Sequence, residues 1–185
     1  DLPVQNRWPA AEGGSAVAGG GQRALIASAV AEGGLYGSWR VHLQSGQAEG
    51  GTPYCFGDGS STACPCANNG LSGHGCDNSA ASGGALLAAT GFTQPDQVVL
   101  SVTGELPNSL SIVLQGSQDL ATPVLFGDGV RCVGGILKRL YIRNAVGGAI
   151  SVPGPGDPSI TQRSAALGDP IPQGATRGYQ VYYRD

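Results

Sequence analysis

The chain is expected to fold as an all-β protein, a disulfide-braced β-sandwich of Greek-key or jelly-roll-like topology with an extended amino-terminal arm. Three observations lead there. Short apolar runs of alternating character recur along the 185 residues, and period two is the spacing of a strand with one buried face. Glycine (32 residues) and proline (12) punctuate those runs and form nearly a quarter of the chain, as expected where many short strands are joined by turns. Four of the five cysteines, Cys55, Cys64, Cys66, Cys76 and Cys132, fall within one loop-like stretch, the density of a disulfide framework.

Taken in order, residues 1–20 hold little but Pro, Gly and Ala after Trp8 and are read as an arm. Residues 22–30 (QRALIASAV) follow as a strand, with Ala24, Ile26, Ser28 and Val30 on one face. Residues 35–44 (LYGSWRVHLQ) alternate cleanly: Leu35, Gly37, Trp39, Val41 and Leu43 face one way, Tyr36, Ser38, Arg40, His42 and Gln44 the other. A Gly-rich joint over 45–53 then divides an arm with one or two strands (1–50) from a sandwich domain (51–185).

The stretch 54–79 (YCFGDGSSTACPCANNGLSGHGCDNS) has no periodicity, and it is too long to stay ordered as bare loop, so crosslinks are expected to hold it. Further strands are expected over 84–90, 97–103, 109–115, 124–126, 136–143, 149–152 and 177–184. Leu110, Ile112 and Leu114 are assigned to one inward face, and Ile136, Leu140 and Ile142 to another. The one helical stretch is 160–167, a turn or two. The tetrapeptide FGDG occurs at 56–59 and at 126–129; it marks two turns of similar geometry, with glycine at positive φ and Asp capping the turn.

Charge narrows the functions. The net charge is −3, and the only adjacent basic pair is Lys138 with Arg139, inside an expected strand. Nucleic acid needs a focused positive field and is not an expected partner. No run approaches the ~18 apolar residues of a membrane-spanning helix. Asp1 in place of Met fits removal of a leader.

Cys64, Cys66, His74 and Cys76 could form a thiolate and imidazole set for zinc. Their spacing lacks the paired C-x2-C pattern, and an oxidising compartment favours disulfides. Pro65 between Cys64 and Cys66 disfavours a bridge between those two. They are expected to take different partners, with Cys76 and Cys132 the nearest choices, and one cysteine is left over. Asp58 and Asp128, with Asp77 and Asp157, sit in Gly-rich turns and are the weak candidates for calcium. The simpler reading is that each Asp caps its own turn, so no cofactor is expected.

Catalysis has little to work with. A hydrolytic triad needs a base histidine, and only His42 and His74 exist. There is no G-x-S-x-G elbow and no H-E-x-x-H, so the chain is not expected to be an enzyme. Tyr141 and Tyr182 are the aromatics expected to face a glycan, Tyr141 sharing an outer face with Arg139 and Arg143.

Self-association draws more support. A strand tied through a glycine-rich joint can complete its own sheet or a neighbour's, and addition repeated head to tail builds a fibre. The 22–30 segment, through Leu25, Ile26 and Val30, is the expected donor.

From residue 54 onward the chain resembles a widespread, largely uncharacterised family of secreted proteins from environmental bacteria. The resemblance is carried by CFGDGSSTACPCANNG, GHGCDNSA, LPNSLSIVLQG, FGDGVRCVGG, KRLYIRNAVGG, PGPGDPSI and RGYQVYYRD. It implies secretion and a β fold, and since the family has no established activity it transfers no catalytic residue. Members of that family commonly continue past the YYRD-like end to a further cysteine, which would account for the odd count. The expected function is an extracellular structural subunit that self-assembles into a filament or surface layer; the alternative is a carbohydrate-binding or adhesive module.

Overall fold

The computed structural model describes residues 51–185, together with the backbone of two earlier strands, β1 (Leu25–Ala29) and β2 (Leu35–His42). The remaining elements are β3 (Thr52–Tyr54), β4 (Ala85–Thr90), β5 (Val99–Thr103), β6 (Leu110–Phe126), β7 (Gly129–Asn144), β8 (Ile150–Val152), α1 (Ile160–Ala166) and β9 (Thr176–Tyr183). They form a four-stranded sheet in the order β1-β4-β5-β8 and a five-stranded sheet in the order β3-β2-β9-β6-β7. Every strand pairing is antiparallel.

The two sheets close on one core. Leu87, Leu100, Val102 and Val152 from the first sheet meet Val113, Leu140, Tyr179, Val181 and Tyr183 from the second. Strands β5 and β8 are neighbours in one sheet, while β6 and β7, which lie between them in sequence, are neighbours in the other. The chain thus crosses the sandwich and returns, as Greek-key connections do.

The amino-terminal strands are built into both sheets. β1 pairs with β4 in the register Leu25↔Ala89 to Ala29↔Ala85, at the edge of the four-stranded sheet. β2 lies inside the five-stranded sheet, between β3 and β9. Val30 lies outside the described residues.

Two inward faces differ from expectation. On β6 the buried side chains of this stretch are Ser111, Ile112, Val113 and Gln115, whereas Leu110 is exposed and Leu114 only half-buried. Hydrogen bonds make this tolerable: Ser111 donates to Glu105, and the Gln115 amide donates to Ser164 at 2.7 Å and Asp169 at 2.8 Å. On β7 the register steps from Val113↔Tyr141 to Leu114↔Arg139, so Leu140 is the extra residue of a bulge. The bulge shifts the alternation: Leu140 is 0% and Tyr141 4% exposed, while Ile136 and Ile142 are 54% and 50% exposed.

The β6–β7 hairpin is far longer than the sequence suggests, and its distal half folds back over the outer face of its own sheet. Gln180 lies on that outer face, between the core residues Tyr179 and Val181. Its side-chain oxygen accepts from the backbone N–H of Cys132 (3.1 Å) and Val133 (3.4 Å), and its amide donates to the Val130 carbonyl (2.9 Å). Phe126, near the hairpin tip, meets Tyr182 edge to face at 5.7 Å. Gly116 is required at the fold: a Cβ there would lie 2.7 Å from the Gly134 carbonyl oxygen.

Candidate functional site

Most of the residues singled out for chemistry lie in the cysteine loop or on the hairpin tied to it, whereas Tyr141 and Asp157 lie apart, beside Pro158 and Arg163. The loop is constructed from side chains bonding to backbone. One carboxylate oxygen of Asp77 accepts from the N–H groups of Asn78 (2.9 Å), Gly83 (2.8 Å) and Gly84 (3.0 Å). Asn69 accepts from the Cys64 N–H at 3.0 Å, and the Asn68 amide donates to the Asp77 carbonyl at 2.8 Å. Glycine allows the chain to close on itself, since a Cβ at Gly70 would lie 1.7 Å from the Gly75 carbonyl oxygen.

Four cysteines are oxidised in pairs. Cys64 bridges to Cys76 across 12 residues, and Cys55 bridges to Cys132 across 77. The first closes the loop; the second ties it to the folded-back hairpin. By loop-closure entropy the bridges stabilise by about 3 and about 4.5 kcal/mol. Cys66 is the free, exposed thiol. Its Sγ lies 3.6 Å from an Asp128 carboxylate oxygen, and burial together with that negative charge pushes the thiol pKa up.

This pairing removes the zinc set, because Cys64 and Cys76 are spent on each other. His74 is also engaged: its Nδ1 lies 2.7 Å from the Gly84 carbonyl oxygen, which can only accept, so Nδ1 carries the proton. The calcium candidates are likewise occupied. Asp58 accepts from Ser60 and Gly73 N–H, each at 2.8 Å. Although burial opposes it, the bonds from Ser60 and Gly73 hold its carboxyl below the usual range. Asp157 is paired with Arg143 and accepts from Gly154 N–H at 2.8 Å. Among the described residues no three His, Cys, Asp or Glu side chains converge as a metal site.

The two FGDG turns are not alike. At 126–129, Phe126 pairs with Gly129 across a two-residue hairpin turn, with Gly127 at φ 58°. At 56–59 it is the last residue, Gly59, that takes positive φ (86°), and Asp58 does the capping. Asp128 instead faces Cys66.

The aromatic candidates are placed differently from expectation. Tyr141 turns inward through the Leu140 bulge, and its hydroxyl donates to the Pro158 carbonyl at 2.7 Å. Burial and the nearby carboxylates Asp157 and Asp96 push it up to about 12. A buried ring presents no stacking face to a sugar. Tyr182 does lie on the outer face, half-buried, with Phe126 against it. Beside Tyr141 a cleft of about 280 Å³ is walled by Arg143, Asp157, Pro158 and Arg163. Its arginines are largely spoken for: Arg143 binds Asp157 at 2.6 Å, and Arg163 Nε donates to the Leu140 carbonyl at 2.8 Å.

Sequence reasoning missed three buried polar side chains that organise the molecule: Gln180, Gln115 and Glu105. Alternation could not have identified them: Gln115 is polar at an inward position and reads as outward, Gln180 is outward but covered by the folded-back hairpin, and Glu105 lies in a connection between strands. Among the described residues no helix is long and apolar enough to cross a membrane. Comparison with protein-family models, curated proteins and solved structures finds no match.

Proposed function

We propose that the protein is a secreted structural subunit that assembles through strand exchange, with β1 and β2 of one copy completing the sheets of the next. The observation that carries this reading is the position of those strands. One amino-terminal stretch supplies the β1 edge strand to one sheet and the interior strand β2 to the other. It is joined to the rest by residues 43–51 (LQSGQAEGG), a glycine-rich connection in sequence, whereas both disulfides lie beyond it. A domain crosslinked in that way can keep its form while its first two strands are taken from another copy.

Secretion agrees with two disulfides, which persist outside the reducing cytosol. A non-enzymatic role is part of this proposal, and it fits Asp58, which caps its turn, and Asp157 and Asp169, which pair with arginine. Glycan stacking loses support because Tyr141 is buried.

Negative-stain microscopy of the purified chain is the first test, with regular filaments or sheets the expected result. Deleting residues 1–30, which removes β1 and with it one of the two exchanged pairings, is then expected to leave a folded protein that assembles far more weakly. Uniform monomers of the full chain, or complete loss of folding on deletion, would count against the reading.

A further inference from the structure

The end of the sandwich where β5 passes to β6 contains a carboxyl group placed where no carboxylate would rest comfortably. Glu105 is only 5% exposed. Its Oε2 accepts from the hydroxyls of Ser109 (3.3 Å) and Ser111, but its Oε1 is buried with no hydrogen-bond partner among the described residues. Among the described residues no ion pair reaches it. The titratable group from β9 that interacts with it is Tyr183, itself flanked by the acidic Asp185 and Asp77. Two hydroxyls do not offset the loss of water around a full negative charge, and a neutral acid is the cheaper occupant.

The surroundings make this a junction. The Glu105 N–H donates to the Gly148 carbonyl at 3.0 Å, binding the β5–β6 connection to the β7–β8 turn. That contact is close: a Cβ on Gly148 would lie 2.4 Å from the Glu105 carbonyl oxygen. The adjoining Gly104 carbonyl accepts from the Asn78 amide (2.9 Å) and the Ser82 hydroxyl (2.7 Å), both from the cysteine loop. Asn78 also donates to the Tyr183 hydroxyl at 3.0 Å. The two cross-sheet connections, the cysteine loop and the last strand therefore meet around one acid.

We propose that Glu105 is a buried proton switch, closing this end of the sandwich when protonated and loosening it when ionised. Burial pushes its pKa up to about 7, against the opposing bonds from Ser111 and Ser109. The sign follows from linkage. A carboxyl raised in the folded state adds stability that is complete below its unfolded pKa, near 4.5, and lost as pH rises through about 7. The fold is thus tighter in mildly acidic surroundings. This holds whether or not the chain assembles.

Thermal melts of the wild type and Glu105→Gln across pH 5–8 test it. The wild-type Tm should fall by roughly 5–10 °C more than that of the variant, which mimics the neutral acid and cannot titrate. Parallel curves for the two would overturn the proposal. An infrared measurement on the wild type alone guards against a variant that fails to fold. A protonated carboxylic-acid carbonyl band should be present at pH 6, where exposed carboxyls are ionised, and should vanish above pH 8. Its absence at pH 6 would equally overturn the proposal.

Discussion

Gln180 does the work of a missing strand pairing. Where the hairpin folds back over β9, the amide of this one side chain satisfies two backbone donors and one acceptor that have left their own ladder. Gln180→Ala would strand those groups in a dry interior, and leaving buried partners unsatisfied costs more than the bonds themselves contribute. A loss of about 2–4 kcal/mol in urea unfolding is expected, with the Cys55–Cys132 bridge still holding the hairpin in place. Glu105 is a residue-scale effect of similar size: its displacement from 4.5 to about 7 corresponds to roughly 3 kcal/mol of stability lost across that interval. Both show polar side chains carrying structural weight in a chain with few charges.

At the scale of elements, the short helix α1 is fixed at both ends. Its amino end begins with a capping box at Ser159 and Gln162, and Asp96 accepts from the Thr161 N–H and hydroxyl at 2.7 Å. Just beyond its carboxyl end, Asp169 joins Arg177 on β9 to Gln115 on β6 in a buried network. Asp169→Asn would leave Arg177 buried without its counter-charge, and a loss of about 3–5 kcal/mol is expected in a denaturant melt. Arg163 on the helix also donates to a main-chain carbonyl of β7, the edge strand of the five-stranded sheet. Occupying an edge carbonyl in this way discourages pairing with another chain there.

The positions of most elements were legible in alternation and turn residues. The strands near 84–90, 97–103, 149–152 and 177–184 and the helix near 160–167 lie where the pattern puts them. What alternation could not yield was which face turns inward on β6 and β7. Period two gives both faces the same rhythm, and at 109–115 the aliphatic set splits: Leu110 is exposed, Leu114 half-buried and Ile112 buried, while Ser111, Val113 and Gln115 are buried beside them. The Leu140 bulge reverses the phase again within β7, so Tyr141 went to the wrong side in the sequence reading. The fold-back at Gly116 and Gly134 has no one-dimensional signature, since it shows only that glycine is present. The disulfide framework was legible as a density of cysteines, but its pairing needed the hairpin to bring Cys132 over Cys55.

At the scale of the whole molecule, the chain is a sandwich closed at one end by its cysteine loop and covered on one face by its own hairpin. Its first strands are tied in by backbone pairing, with both disulfides located elsewhere in the chain. The decisive question is whether β1 lies against the β4 of its own chain or against that of a neighbour. Ser28 and Leu86 are direct partners in that register, so a Ser28→Cys and Leu86→Cys pair, in a Cys66→Ser background, can report it. Oxidation of the assembled material followed by non-reducing electrophoresis is expected to give a ladder of linked multimers that collapses on reduction. Efficient crosslinking that yields only monomers would contradict strand exchange.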